Sequence, residues 1–248
     1  MKMRKENKIL ILIGIFLLIY LTPTLLPKKV EIIYYNRTLP SSYKFSQSEI
    51  EIPAIGKING KETGVITTLK VSAIPGEGRT LTNIENLLFW IDTQYSIRVA
   101  KHVAQRITNI DISKIDLIYT IESNASIIEG QSAGAALTIA TIAALENKTL
   151  NKSVIITGTI NDDGSIGKVG GIVYKAEAAK EAGAKLFLVP EGQSYVTEYK
   201  PKRTCEKIGI ITFCRTEYEI QKVNVSEVAG IEVKEVKDID EALNYFFS

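Results

Sequence analysis

The chain has 248 residues, with 30 Lys or Arg against 28 Asp or Glu, a formal charge of +2. That balance gives no general attraction for nucleic acid and no acidic solvating tail. With 45% hydrophobic and 23% charged residues, the chain is neither disordered nor dominated by membrane spans, and its length excludes a long multidomain machine.

The basic tail of residues 1–8 carries Lys2, Arg4, Lys5 and Lys8, and residues 9–26 then run without a charge for 18 positions, about the shortest span that crosses a bilayer. Lys28 and Lys29 follow, so the flanking charge slightly favours a cytoplasmic N-terminus and an external remainder. The preferred reading is an uncleaved anchor in a single-pass membrane protein with an extracytoplasmic domain. A cleaved signal peptide and a buried core helix are the alternatives, although the exit, LTPTLLPKK, lacks the small-x-small site of a signal peptidase. Asn-x-Ser/Thr acceptors at Asn36, Asn124, Asn147, Asn151 and Asn224 point weakly the same way.

Residues 27–54, Tyr- and Ser-rich without a stable period, read as a stalk or peripheral hairpin, and residues 55–248 as the domain. Alternating or β-branched runs predict strands over 64–74, 112–122, 153–160, 185–190, 208–213 and 231–236. Helices are predicted over 82–107, 133–145, 171–182 and 238–247, the second apolar or small on every side. Strands alternating with helices predict an α/β or α+β domain, helices packed on a mixed sheet. Cys205 and Cys214 could staple a hairpin in an oxidising compartment or remain two buried thiols. With no Cys or His ligands beside them, they do not make a zinc site.

Ser132, in IEGQSAG at the start of the buried helix, fits an N-cap. The same position also fits a nucleophile facing free N–H groups and the positive end of the helix dipole. A serine nucleophile needs a base. The sole histidine, His102, lies beside the apolar stripe of the long helix and reads as a helix-face residue. Lys175 shares a face with Ile172, Ala179 and Ala182. A lysine in an apolar stripe either snorkels at the helix edge or is desolvated into a usable base.

Taken together, these residues resemble the proteolytic domain of Lon proteases, Ser-Lys peptidases. EGQSAG is similar to the family's acidic-Gly-x-Ser-Ala-Gly/Ser pattern, and KVGGIVYKAEAA, residues 168–179, to its Gly-Gly-x-x-x-Lys helix. ITGTI at 156–160 resembles its Thr-Gly-x-[IL] strand end, and residues 55–60, 75–79 and 229–243 resemble its entry strands and closing strand and helix. The resemblance implies Ser132 and Lys175 as catalytic, with Thr157 holding the amine and Glu129 and Gly130 supporting the loop. It covers about residues 55–247. The chain departs from the family in four ways. It has no GxxxxGK[ST] phosphate loop, Gln131 stands where some archaeal relatives have an acid, and Ile118 and Thr120 stand where many have histidines. Residues 193–225 also form a longer connection that holds both cysteines.

The expectation is therefore a membrane-anchored, ATP-independent serine endopeptidase acting on unfolded or extended polypeptides. It would need no cofactor or metal, bind no nucleic acid, and form a homo-oligomer, a hexamer by the resemblance. The rivals are a non-catalytic binding module of the same fold and a proteolytic subunit dependent on a separate ATPase.

Overall fold

The computed structural model describes residues 45–58, 61–83, 88–89, 91–122, 127–128 and 130–247. The expected basic tail and anchor, residues 1–26, lie outside them, as does the expected stalk up to residue 44. Among the described residues, no helix is long and apolar enough to cross a membrane.

A long antiparallel pair, β1 (Ser46–Ile58) and β2 (Lys61–Pro75), opens the domain, with Ser46 opposite Ala73 and Ile58 opposite Lys61. The sequence reading placed residues 46–54 in the stalk. Here they are strand, and their inward positions show why the period is hidden: Ser46, Ser48, Ile50, Ile52 and Ala54 are buried while Gln47 and Glu49 are exposed. Two serines on the core side break the apolar alternation that marks a half-buried strand. Ser46 compensates by donating its hydroxyl to the Ala144 carbonyl.

β2 pairs antiparallel with β5 (Ile115–Glu122), which pairs parallel with β3 (Thr80–Thr82), giving a mixed sheet of order β1-β2-β5-β3. The single helix expected over 82–107 is shorter, α1 (Ile91–Thr108). Its front instead contributes the last residue of β3 and the two-residue β4 (Leu88–Phe89), parallel to β6 (Ile127–Ile128). The bare edge of β5 competes with helix propensity here: Asn83 N–H donates to the Tyr119 carbonyl at 2.9 Å, continuing the pairing beyond β3. Asp116, at the other end of β5, ties down the turn between β2 and β3. It accepts from the backbone N–H groups of Glu77 and Arg79 and from the Arg79 guanidinium, and these bonds hold its pKa below the usual carboxylate range.

α2 (Gly134–Glu146) packs on this sheet with Gly134 through Leu145 all buried. Its polar members are satisfied internally: Thr141 donates to Leu137 and meets the Tyr119 hydroxyl at 2.9 Å. β7 (Val154–Ile156), β10 (Leu186–Pro190) and β13 (Glu232–Val236) form a parallel sheet of order β13-β10-β7. Their apolar runs, VII and LFLVP, reflect burial on both faces. Val154, Ile156 and Leu188 join the core with α1 and α2, whereas Ile155, Phe187 and Val189 join a second core. That second core contains α3 (Ile172–Glu181) and α4 (Val225–Ala229), a short helix absent from the expected elements.

The expected strand over 153–160 divides at Thr157–Gly158 into β7 and β8 (Thr159–Ile160), which pairs with β9 (Ile166–Gly167). The expected strand over 208–213 straddles a turn instead. β11 (Tyr195–Ile208) and β12 (Ile211–Asn224) form a 14-residue-per-strand hairpin, and apolar Ile210 at its turn masks the break from a hydropathy reading. Cys205 and Cys214 stand opposite each other across it, disulfide-bonded. α5 (Ile239–Phe246) closes the chain, capped by Asp238, which accepts from Glu241 N–H at 2.9 Å.

Candidate active site

Ser132 lies in a single 3-10 turn, Gln131–Ala133, in front of α2. Gly130 leads into it with φ +105 and ψ 155, a backbone conformation that side-chain-bearing residues rarely adopt. The N-cap position of α2 falls on Ala133, and no side chain caps either the turn or the helix. The capping role that the sequence allowed for Ser132 is therefore not what its hydroxyl performs. The side chain is half-buried.

The stretch between β7 and β8 runs beside this turn. Gly158 N–H donates to the Ser132 carbonyl at 3.0 Å, and Ala135 N–H returns a bond to the Gly158 carbonyl, also at 3.0 Å. Such close approach requires Gly134: a Cβ there would sit 2.7 Å from the backbone nitrogen of Ile160. The small residues after Ser132 thus press the helix start against the strand end that carries Thr157.

Thr157 is fully buried and touches both other candidates. Its hydroxyl donates to the Ser132 carbonyl at 3.3 Å and accepts from Lys175 Nζ at 3.5 Å, the long limit for such a bond. A threonine hydroxyl has one proton and two lone pairs, so both contacts can be held at once. Lys175 arrives from α3, with 4% of its surface exposed. Its helix face buries Ile172, Ala176 and Ala179 as well, whereas Ala182, expected on that face, sits at the exposed end of the helix. Burial removes water from the ammonium form and lowers the amine pKa to about 8. The geometry has joined a serine backbone, a threonine hydroxyl and a desolvated amine around one point.

Glu129 lies outside the described residues. His102 is exposed on α1, as a helix-face residue should be. Ile118 and Thr120 are half-buried on β5. Among the described residues, no cluster of three His, Cys, Asp or Glu could hold a metal ion.

One residue escaped the sequence reading. Gln193, at the root of the hairpin, accepts from Val169 N–H at 2.9 Å and donates to the Val169 carbonyl at 2.8 Å. It thereby clamps the segment entering α3 two residues before its N-cap, Gly171. A partner 24 positions away leaves no local signal.

Comparison with known proteins adds an independent line. Residues 53–227 match the family model of the Lon protease (S16) C-terminal proteolytic domain. The archaeal Lon protease of Thermoplasma volcanium is 31% identical over 162 residues, 60% of this chain and 24% of that protein. That of Pyrococcus abyssi is 28% identical over 194 residues, 75% of this chain and 18% of that protein. The Lon protease of Buchnera aphidicola is 27% identical over 168 residues, 66% of this chain and 22% of that protein. The chain spans about a quarter of the length of the curated relatives it matches.

Proposed function

The chain belongs to the Lon protease (S16) C-terminal proteolytic-domain family, and from that premise we propose that it is a serine endopeptidase in which Ser132 and Lys175 form the catalytic pair. Ser132 Oγ attacks the peptide carbonyl while the neutral Lys175 amine takes its proton. The ammonium then gives that proton to the leaving amine, and water hydrolyses the acyl-serine with the amine again as base. Backbone N–H groups of Ser132 and a neighbour in residues 130–133 meet the oxyanion. Thr157 orients the amine: by accepting one N–H of Lys175 it leaves the nitrogen lone pair free for the serine hydroxyl. Glu129 and Gly130 shape the loop before the nucleophile.

The observation that carries this reading is Thr157, bonded to the Ser132 carbonyl and to the Lys175 amine at once. We further propose that the chain is anchored by residues 9–26 with its domain external, in keeping with the exposed Cys205–Cys214 disulfide, and acts as a homo-oligomer. We propose further that the peptidase acts on extended or unfolded polypeptides without ATP; the given sequence holds no GxxxxGK[ST] motif.

The test is labelling of the full chain with a fluorophosphonate, without ATP, alongside Ser132→Ala and Lys175→Ala. Wild-type labelling that is abolished in Ser132→Ala and falls by about 10³ or more in Lys175→Ala, with both variants folded, is the expected result. No wild-type labelling between pH 7 and 9 would sink the autonomous peptidase. Labelling regained only with an added ATPase would favour a dependent subunit.

A further inference from the structure

The β11–β12 hairpin leaves the domain. Residues 200–222 are exposed throughout, and only the root joins a core, where Val223 is buried and Val196 packs against the second cluster. At about 3.3 Å per residue, the free part reaches about 30 Å along β11 and about 40 Å along β12. The arm ends in a two-residue loop, Gly209–Ile210, surrounded by apolar side chains. Ile208 is 64% exposed, Ile210 98%, Ile211 56% and Phe213 58%. An exposed apolar cluster at the end of an arm marks a contact site for something outside the molecule.

Three observations choose the occupant. First, the charge left free near the tip is cationic. Glu217 is paired with Arg215 and Glu219 with Lys202, while among the described residues Arg203 and Lys207 are in no ion pair, against Glu206 alone. Second, four side chains on a two-stranded ribbon offer less area than the about 800 Å² per partner of a standard protein interface, whereas a bilayer requires no matching surface. Third, the same chain carries the uncharged 18-residue run of residues 9–26, which would hold this domain beside a membrane. The Cys205–Cys214 bridge, three residues from the loop on either strand, keeps the two sides of the tip together.

We infer that the hairpin tip, Ile208, Ile210, Ile211 and Phe213, inserts into the acyl boundary of an anionic bilayer while Arg203 and Lys207 lie at its headgroups. This second membrane contact is independent of the peptidase reading, since no part of it uses Ser132 or Lys175. It takes from the proposed anchor only the nearness of a bilayer.

The full chain carrying Ile210→Trp, in vesicles of mixed phosphatidylcholine and phosphatidylglycerol, reads the tip directly, with the parent's single tryptophan, Trp90, as background. The expected result is a blue shift and loss of most of the added emission when the lipids carry brominated acyl chains. Both effects weaken in pure phosphatidylcholine and vanish when Ile208→Ser, Ile211→Ser and Phe213→Ser are combined with it. A blue shift without quenching would assign the tip to a second copy of the chain. Emission unshifted and unquenched would leave it in water. Either result overturns the inference. Flotation of the same vesicles reads the anchor separately: a chain that floats with its tip unquenched keeps the anchor and loses the inference.

Discussion

At Lys175 the protein holds an amine where charge is disfavoured. An unfolded lysine titrates near 10.5, and burial brings the folded value to about 8. Between those values the unfolded chain binds the extra proton, so stability rises with pH across the window and the penalty is complete below it. The difference amounts to about 3 kcal/mol at pH 7 and falls below about 1 kcal/mol at pH 10. Lys175→Met, which keeps length and removes charge, should therefore stabilise the domain by up to about 3 kcal/mol at pH 7 and far less at pH 10. Denaturant titrations at the two pH values check this. A pH-independent gain would mean that the amine is hydrated in the native state. If Lys175 is the base of the proposed peptidase, the same value sets the acid limb expected of it. Only about one amine in 100 is neutral at pH 6, so kcat/KM should fall about tenfold per pH unit well below 8, and a limb near 6.5 would point to a histidine instead.

The elements that deliver these residues differ in how far they could be read in advance. Ser132 and Lys175 were legible because each sits on a short helix start with its own glycines and small residues, and the buried face of α3 repeats at steps of three and four. Thr157 was legible only through the family resemblance. Its strand reads as one apolar run over 153–160: Thr157 N–H still reaches the Leu188 carbonyl of β10 at 3.1 Å, and the pairing breaks at Gly158, whose N–H and carbonyl bond to Ser132 and Ala135 instead. The early start of β1 and the late start of α1 were hidden by tertiary pairing, which local propensity does not encode. Gln193 was hidden for the same reason. Its two bonds to Val169 are each worth about 1 kcal/mol net, and they hold the entry to the lysine helix, which makes it a positioning residue. Gln193→Ala should lower kcat about tenfold with KM little changed. It should also move the acid limb upward, toward the ordinary lysine range, as α3 loosens and water reaches the amine. An unchanged limb with a general loss of folded protein would mean that the clamp only stabilises.

Across the whole molecule, the candidate site lies at the meeting of two cores. The parallel sheet β13-β10-β7 separates them: Ser132 precedes α2 of the first, Lys175 stands on α3 of the second, and Thr157 continues from β7 between them. Alignment of serine and amine then depends on both cores, but a loosened second core acts on the lysine directly. Phe187, fully buried on β10, packs in the cluster of Ile172, Ala176 and Ala179, whereas Phe246 on α5 packs in the first cluster, to which no side chain of α3 belongs. Truncating either to alanine opens a cavity costing about 3–5 kcal/mol. Phe187→Ala should lose fluorophosphonate labelling well below its unfolding temperature, because the slackened core lets α3 shift and a 3.5 Å contact at the limit of bonding has no reserve. Phe246→Ala should unfold at a similarly lowered temperature yet label at nearly the parent rate until it does. Thermal unfolding followed beside labelling separates the two variants, and equal losses in both would show that the site depends on the first core as much as on the second.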